Sequence, residues 1–176
     1  NGKYEIRLIA QEDAKDLFEV YSDKFALPFF NSDNCHGSNF YCSKSEYMNE
    51  TIKYWLMEYH DTNGFVRFSI YDKKRDKIIG TIEMFHRTAN DFYTNCGLLR
   101  LDLGSSYEKT EIIYDILSLI VEPFYDWFKC NMIATKAQIF AVDRINALKK
   151  MNFRCSQEPL IGHDGKRYYD YWILSK

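Results

Sequence analysis

The sequence is poor in the residues that mark several classes of protein. Of its 176 residues only 8 are glycine and 3 are proline, which excludes collagen-like and low-complexity chains. Lysine and arginine (23) do not outnumber aspartate and glutamate (25), so the chain has no excess of positive charge to neutralise phosphates. We therefore expect no nucleic-acid partner.

Long apolar runs and paired cysteines are also missing. Three acids and a proline interrupt the most apolar stretch, 112–128, and a membrane helix needs about 20 apolar residues. The first residues lack the apolar segment of a signal peptide. The five cysteines are odd in number and form no C-x-x-C pair, which is typical of free thiols in a reducing compartment. These absences predict a cytoplasmic protein that does not bind membranes.

Aromatic residues, in contrast, are abundant, at 17% of the chain. Disordered chains are poor in aromatic residues, so the composition indicates a folded protein. A chain of this length buries a sufficient core without disulfides or metals. We predict a single domain over residues 1–176.

Apolar residues recur at helical spacing in four segments, which we predict as helices: 10–21, 48–59, 108–129 and 141–151. Ser43 and Glu46 have the S-x-x-E spacing of a capping box and predict the start of the second helix. The third helix is apolar on nearly all sides, which is typical of a buried helix. Pro123 predicts an interruption within it, because proline lacks the N–H of the helical hydrogen bond.

Seven segments have the composition and alternation of strands: 4–9, 65–71, 77–86, 97–103, 133–137, 153–156 and 167–174. The last two flank an Asp164-Gly165 turn signal. In segment 97–103, Leu99, Leu101 and Leu103 share one face, and Leu98, Arg100 and Asp102 share the other. The element order β-α-α-β-β-β-α-β-α-β-β indicates an α/β fold.

This order of elements resembles that of the GCN5-related N-acetyltransferase (GNAT) superfamily over nearly the whole chain. The stretch 99–108 (LRLDLGSSYE) and the later segment 133–137 occupy the corresponding places, and 144–153 resembles the family's A-x-x-x-L-x-x-x-G-F helix ending. The resemblance implies a GNAT-like α/β fold with a mixed, mostly antiparallel seven-stranded sheet and helices on both faces.

The resemblance also implies a reaction, in which an amine attacks the thioester of acetyl-CoA directly. Acetyl-CoA would be the co-substrate, and the acceptor would be a small-molecule or peptide amine. The backbone at Leu101 and Leu103 would polarise the thioester. Convergent N–H groups before the third helix would take the pyrophosphate, with Arg144 nearby. The implied residues of that loop are Ser105, Ser106, Tyr107, Lys109 and Thr110.

The loop departs from the family pattern, R/Q-x-x-G-x-G/A, because both glycines are missing and Glu108 replaces the first residue. Glu108 and Glu111 are themselves stabilised at a helix N-terminus, where they would compete with a bound anion. They have a second interpretation as acids that only stabilise the helix. The loop thus leaves an alternative open, a non-catalytic GNAT-like domain that binds a ligand or partner.

The proton acceptor has three candidates, Asp102, Glu83 and His86. Asp102 also has a structural interpretation, as an ion pair with Arg100. The family's tyrosine acid aligns with Leu148, so Tyr107, Tyr168 or water would protonate the thiolate. Arg144 has a simpler interpretation as a solvated helix residue.

Aromatic residues are densest between Phe18 and Tyr59, and those outside the helical stripes predict an aromatic acceptor wall. The residues assigned to it are Phe29, Phe30, Phe40 and Tyr41. Cys35 and His36, taken with Cys42 and His60, match no zinc-site spacing, so we expect no metal. Cys96 is interpreted as a buried thiol, since no basic residue flanks it.

Overall fold

The computed structural model describes residues 2–33, 35 and 38–176. The strands are β1 (Tyr4–Leu8), β2 (Val66–Asp72), β3 (Lys77–Arg87), β4 (Cys96–Leu103), β5 (Met132–Lys136), β6 (Arg154–Cys155), β7 (Leu160–Ile161), β8 (Arg167–Tyr168) and β9 (Tyr171–Ser175). The helices are α1 (Ala14–Tyr21), α2 (Ser45–Met57), α3 (Thr110–Leu117), α4 (Val121–Phe128) and α5 (Val142–Lys150).

Seven strands form the central sheet in the order β1-β2-β3-β4-β5-β9-β6. Every neighbouring pair is antiparallel except β4 and β5, which are parallel. The predicted fold class, a mixed and mostly antiparallel seven-stranded sheet, is confirmed. The Asp164-Gly165 signal also marks a hairpin, but it joins the short strands β7 and β8, which pair outside the main sheet.

The alternation predicted for β4 places its leucines in the main core. Leu99, Leu101 and Leu103 are buried there together with residues of α3, α4 and α5. Helices α1 and α2 pack on the other face around a second core. Gly80 of β3 allows β3 and β4 to approach each other closely, since a Cβ at this position would lie 2.1 Å from the carbonyl oxygen of Asp102.

The predicted helix 108–129 is wrong as a single element, because it consists of α3 and α4 with a break at Ser118–Ile120. Pro123 does not cause the break. It lies in the first turn of α4, where the backbone N–H has no intrahelical partner and proline is tolerated.

The predicted capping box is also wrong. Helix α2 begins at Ser45, one residue later than the motif requires, and its N-cap is Lys44, which makes no side-chain cap. Glu46 then falls at the second helical position, out of register for the reciprocal bond to Ser43.

None of the helices in the described part of the chain is both long and apolar enough to span a bilayer.

Candidate active site

Strands β4 and β5 are paired over only part of their length. The parallel ladder ends at Leu99 and Thr135, whereas β4 continues to Leu103. The remainder of β4 stays paired with β3, and β5 continues beside β9. The two strands therefore part, and we call the opening beside Leu101–Leu103 the β4–β5 cleft.

The segment Phe29–Asp33, called the strap here, is held at the mouth of this cleft. The carboxylate of Asp33 accepts hydrogen bonds from the Lys136 ammonium, 2.8 Å from each oxygen, and from the Tyr171 hydroxyl at 3.1 Å. Arg100 donates to the carbonyl oxygen of Asp33 at 3.1 Å. Residues from β4, β5 and β9 thus hold the strap across the point where the strands part.

A layer of polar side chains covers the neighbouring part of the sheet. Cross-strand register places Arg67 opposite Glu83, and Glu83 opposite Arg100. The next row holds Ser69, Thr81 and Asp102 in the same register. Charges of alternating sign on three adjacent strands attract one another, which stabilises this register.

Arg67 is the centre of that layer and is only 1% exposed. Its guanidinium forms ion pairs with Glu83 and Asp102, and its central carbon lies 4.0 Å from the centroid of the Trp55 ring. Arg100 binds the second oxygen of Glu83 at 2.8 Å. Both oxygens of Glu83 are therefore engaged by guanidinium groups.

Asp102 lies beneath helix α1 and is 3% exposed. It accepts hydrogen bonds from the Tyr21 hydroxyl at 2.8 Å and from Arg67 at 3.3 Å. Burial raises the pKa of Asp102 and, together with the charge of Asp102, the pKa of Tyr21. The predicted ion pair of Asp102 with Arg100 is wrong, because the partner of Asp102 is Arg67.

A cavity of about 610 Å³ lies on the same face of the sheet, at the other end of the polar layer. Glu83, Phe85, Leu98 and Arg100 contribute to its lining from the two central strands. His86 stands at its rim and is exposed. Asp102 is not among the lining residues. Of the three candidate bases, therefore, Glu83 and His86 border this space.

None of the four residues predicted as an acceptor wall is among the described residues that line this cavity, and two of them, Phe29 and Phe30, belong to the strap. Phe29 packs on Phe140, with 5.6 Å between ring centroids, and Phe30 is buried against Tyr21. Phe40 packs on the core beneath α1 and α2, and Tyr41 is partly exposed. The cavity takes its aromatic lining instead from Phe65 and Phe85.

Two backbone N–H groups of the predicted pyrophosphate loop, one at each end, are bound by carboxylates of the protein. Asp23 accepts from the N–H of Ser105 at 2.9 Å. Asp143 accepts from the N–H of Thr110 at 3.1 Å and from its hydroxyl at 2.6 Å. The bonds from Thr110 lower the pKa of Asp143. Ser106 and Lys109 are exposed.

Arg144, interpreted from the sequence as solvated or as a phosphate ligand, is 2% exposed. It forms a buried ion pair with Glu108 and donates to the carbonyl oxygen of Phe29 at 3.1 Å. The solvated interpretation is wrong, and so is the view that Glu108 only caps a helix. The pair links the loop before α3 to the first turn of α5.

Tyr107, the predicted thiolate acid, is directed to another part of the molecule. It is buried in the main core, and the guanidinium of Arg75 lies 5.0 Å from its ring centroid. Arg75 belongs to the turn between β2 and β3, on the side of β4 away from β5. Tyr107 therefore does not face the β4–β5 cleft.

The predicted buried thiol and the residues weighed as metal ligands are considered next. Burial raises the pKa of the Cys96 thiol to about 12, which keeps it protonated at neutral pH. His36 lies outside the described residues. Within the described ranges, no three His, Cys, Asp or Glu side chains converge as a metal site.

Sequence reasoning missed Arg67 and the acids that occupy the loop and the cleft. Arg67 has a sequence signal, since it alternates with Val66 and Phe68 on a strand whose neighbours carry polar residues at matching positions. Asp33 and Asp143 bind partners far away in the sequence and have no local signal. Asp23 has a local role as well, in a turn with Phe25 and Ala26, but its bond to Ser105 has no sequence signal.

Comparison with known proteins places this geometry in a fold family. The sequence matches no family model and no curated protein. Solved structures do match over the whole chain. An acetyltransferase (GNAT family) from Bacillus anthracis superposes with a TM-score of 0.70 at 11% identity, covering 98% of this chain and 95% of that one. The chain has the GNAT fold.

Two further structures with the GNAT fold carry more specific names. The ribosomal-protein-S5-alanine acetyltransferase from Vibrio fischeri has a TM-score of 0.69 at 20% identity, covering 99% of this chain and 92% of that one. The spermidine N-acetyltransferase from Vibrio cholerae, in complex with CoA and spermine, has a TM-score of 0.66 at 11% identity, covering 99% and 96%. At these identities the likeness establishes the fold.

Proposed function

We propose that residues 1–176 form one N-acyltransferase domain that moves an acetyl group from acetyl-CoA to a primary amine. The observation that carries the proposal is that Arg100 connects the β4–β5 cleft with the 610 Å³ cavity, since its side chain lines the cavity and binds the strap at the mouth of the cleft. Acetyltransferases that share the fold support it, among them one solved with CoA and spermine. The cleft would take the thioester, and the cavity would take the amine.

In the proposed reaction the amine nitrogen attacks the thioester carbonyl. A C–N bond forms, the C–S bond breaks, the nitrogen loses a proton, and the sulfur leaves as a thiolate that takes a proton from water. Backbone N–H groups of Leu101 and Leu103 would stabilise the oxyanion, because these residues face β5 and are unpaired there. Tyr107 takes no part in this scheme, since it faces Arg75.

We assign proton removal to His86, relayed by water molecules in the cavity, because His86 lies opposite Gly97, four residues along β4 from Leu101. It borders the cavity and is exposed, whereas Asp102 is buried under Tyr21 and Arg67. Glu83 borders the cavity too, but two arginines engage its oxygens. Its proposed part is electrostatic: it holds Arg100 in place between cavity and cleft.

Donor binding provides a test that needs no known acceptor. A donor with a Kd of about 10 µM, added at 1 mM, stabilises a protein by about 2.7 kcal/mol, which is readily visible as a rise in Tm. We expect such a rise with a saturating acetyl thioester, and acetylated product with an amine panel of spermidine, an aminoglycoside and an N-terminal peptide. The absence of any rise with acetyl-CoA and with S-acetylpantetheine would contradict the proposal.

The assignment of His86 predicts a selective loss of activity in His86→Gln. With an acceptor from the panel, we expect kcat/KM to fall about 100-fold, because a general base contributes at least that factor in most enzymes. The free energy of unfolding should be unchanged, since the side chain is exposed. His60→Gln is the matched control, because His60 is exposed in the turn after α2. Equal rates for the two variants would contradict the assignment.

A second function is favoured by one specific observation, the strap that closes the cleft through Asp33. If the strap never opens, the domain binds a ligand in the cavity without transferring anything. Ligands that raise the Tm with no effect of any thioester would identify this non-catalytic function.

A further inference from the structure

We infer that the acyl donor of this domain is recognised through its acyl-pantetheine arm alone, and that the nucleotide diphosphate of coenzyme A contributes nothing to binding. The inference rests on the proposed function and specifies the class of its donor. That donor is an acyl thioester on a pantetheine arm that carries no diphosphate. The basis is the chemistry of the loop that precedes α3.

Anions bind at a helix N-terminus because the first backbone N–H groups there lack intrahelical partners. In this chain the N–H of Thr110, the first residue of α3, is bound by the Asp143 carboxylate at 3.1 Å, and the Thr110 hydroxyl is bound by the same group at 2.6 Å. The first N–H of the helix is therefore already bound by a carboxylate supplied by α5. A diphosphate that used this N–H would have to displace that carboxylate.

The other end of the loop is bound in the same manner. Asp23 accepts from the N–H of Ser105 at 2.9 Å and also from those of Phe25 and Ala26. Burial opposes the charge on Asp23, but the hydrogen bonds outweigh it and lower its pKa. Asp23 is thus a carboxylate fixed at the N–H that begins the loop.

The one buried cation near the loop is likewise engaged within the described structure. Glu108 binds Arg144 through both of its oxygens, and the pair is almost fully buried. The third nitrogen of Arg144 donates to the carbonyl oxygen of Phe29. Releasing Arg144 to a phosphate would leave Glu108 buried without its partner, which is strongly unfavourable.

A diphosphate in this loop therefore meets three carboxylates and displaces at least one. The pantetheine portion is a neutral chain of amides and meets none of that repulsion. It needs only the β4–β5 cleft, where Leu101 and Leu103 are no longer paired with β5. The geometry thus provides a site for the pantetheine half of coenzyme A and none for its nucleotide diphosphate half.

Two sources of such an arm exist, a small free thioester and the phosphopantetheine arm of a carrier protein. The decisive experiment compares kcat/KM for acetyl-CoA, S-acetylpantetheine and an acetylated carrier protein, with one acceptor amine and at constant ionic strength. We expect S-acetylpantetheine to equal or exceed acetyl-CoA. A higher kcat/KM for the acetylated carrier protein than for S-acetylpantetheine identifies the carrier as the source. Equal values of kcat/KM identify the small thioester. Acetyl-CoA better than S-acetylpantetheine by 30-fold or more overturns the inference.

Variants of the carboxylates that bind the loop provide a second experiment. Asp143→Asn removes the anion from the end of α3, and we expect a gain of about 10-fold in kcat/KM for acetyl-CoA with no change for S-acetylpantetheine. Glu50→Gln makes the same change in net charge on the exposed side of α2 and should affect neither donor. Equal gains for both donors in Asp143→Asn would contradict a diphosphate-specific block. If no donor binds or reacts with any variant, the proposed function itself fails, which is a distinct outcome.

Discussion

Replacing Arg67 with alanine is expected to lower the free energy of unfolding by about 3–5 kcal/mol. Arg67 is the shared cation of Glu83 and Asp102, and all three side chains are 4% exposed or less. Without Arg67, two carboxylates remain close together in a site of low polarity, where Arg100 compensates Glu83 and Arg144 acts more weakly on Asp102. Urea denaturation followed by tryptophan fluorescence measures the change.

The cause of that loss can be checked by pH. Burial already raises the pKa of Asp102, and removal of Arg67 should raise it further in the folded state. A carboxyl whose folded pKa is raised above its unfolded value destabilises the protein as pH increases through that window. The deficit of Arg67→Ala should therefore shrink between pH 7 and pH 5, as Asp102 takes up a proton.

Two controls separate charge from packing. Arg67→Lys retains the positive charge but loses the planar guanidinium group. Its loss in free energy of unfolding should therefore be smaller than that of Arg67→Ala. Lys53→Ala breaks an ion pair with Glu50 whose side chains are 62% and 70% exposed, and should cost less than about 1 kcal/mol. A pH-independent deficit in Arg67→Ala would mean that the lost contact with Trp55 dominates instead.

The layer of polar side chains on β2, β3 and β4 shows how far the sequence predicts the fold. Alternation along single strands correctly places Leu99 and Leu101 in the core. Period-2 counting also assigns Arg100 and Asp102 to one face, but it cannot identify their partners, because those depend on the register between strands. Once β2, β3 and β4 are aligned, the row Arg67, Glu83, Arg100 follows directly.

Other features depend on tertiary contacts that local patterns do not encode. Apolar periodicity continues through Ser118–Ile120 and therefore predicts one helix where the chain forms two. The N-terminus of α3 is capped by Asp143, which lies 33 residues away in the sequence. The motif comparison identifies the departure of Glu108 from the GNAT pattern, but only the structure shows that Arg144 is its partner.

Asp33→Ala is expected to tighten the apparent binding of a thioester donor by about 30- to 100-fold. If the strap and the donor compete for the β4–β5 cleft, the apparent Kd equals the intrinsic Kd divided by the open fraction. A buried carboxylate held by Lys136 and Tyr171 contributes on the order of 2–3 kcal/mol to the closed state, which corresponds to that factor. Isothermal titration with S-acetylpantetheine measures the change.

Variants of its partners show whether the strap itself is responsible. Asp33→Asn retains the shape and an acceptor for Tyr171 but loses the charge facing Lys136, so its affinity should fall between those of the parent and Asp33→Ala. Lys136→Met releases the strap from the other side and should also tighten binding. A loss of affinity in Lys136→Met alone would instead place the ammonium in contact with the donor. Unchanged affinity in all three variants would mean that the strap and the donor occupy separate sites, in which case closure of the cleft by Asp33 does not regulate transfer.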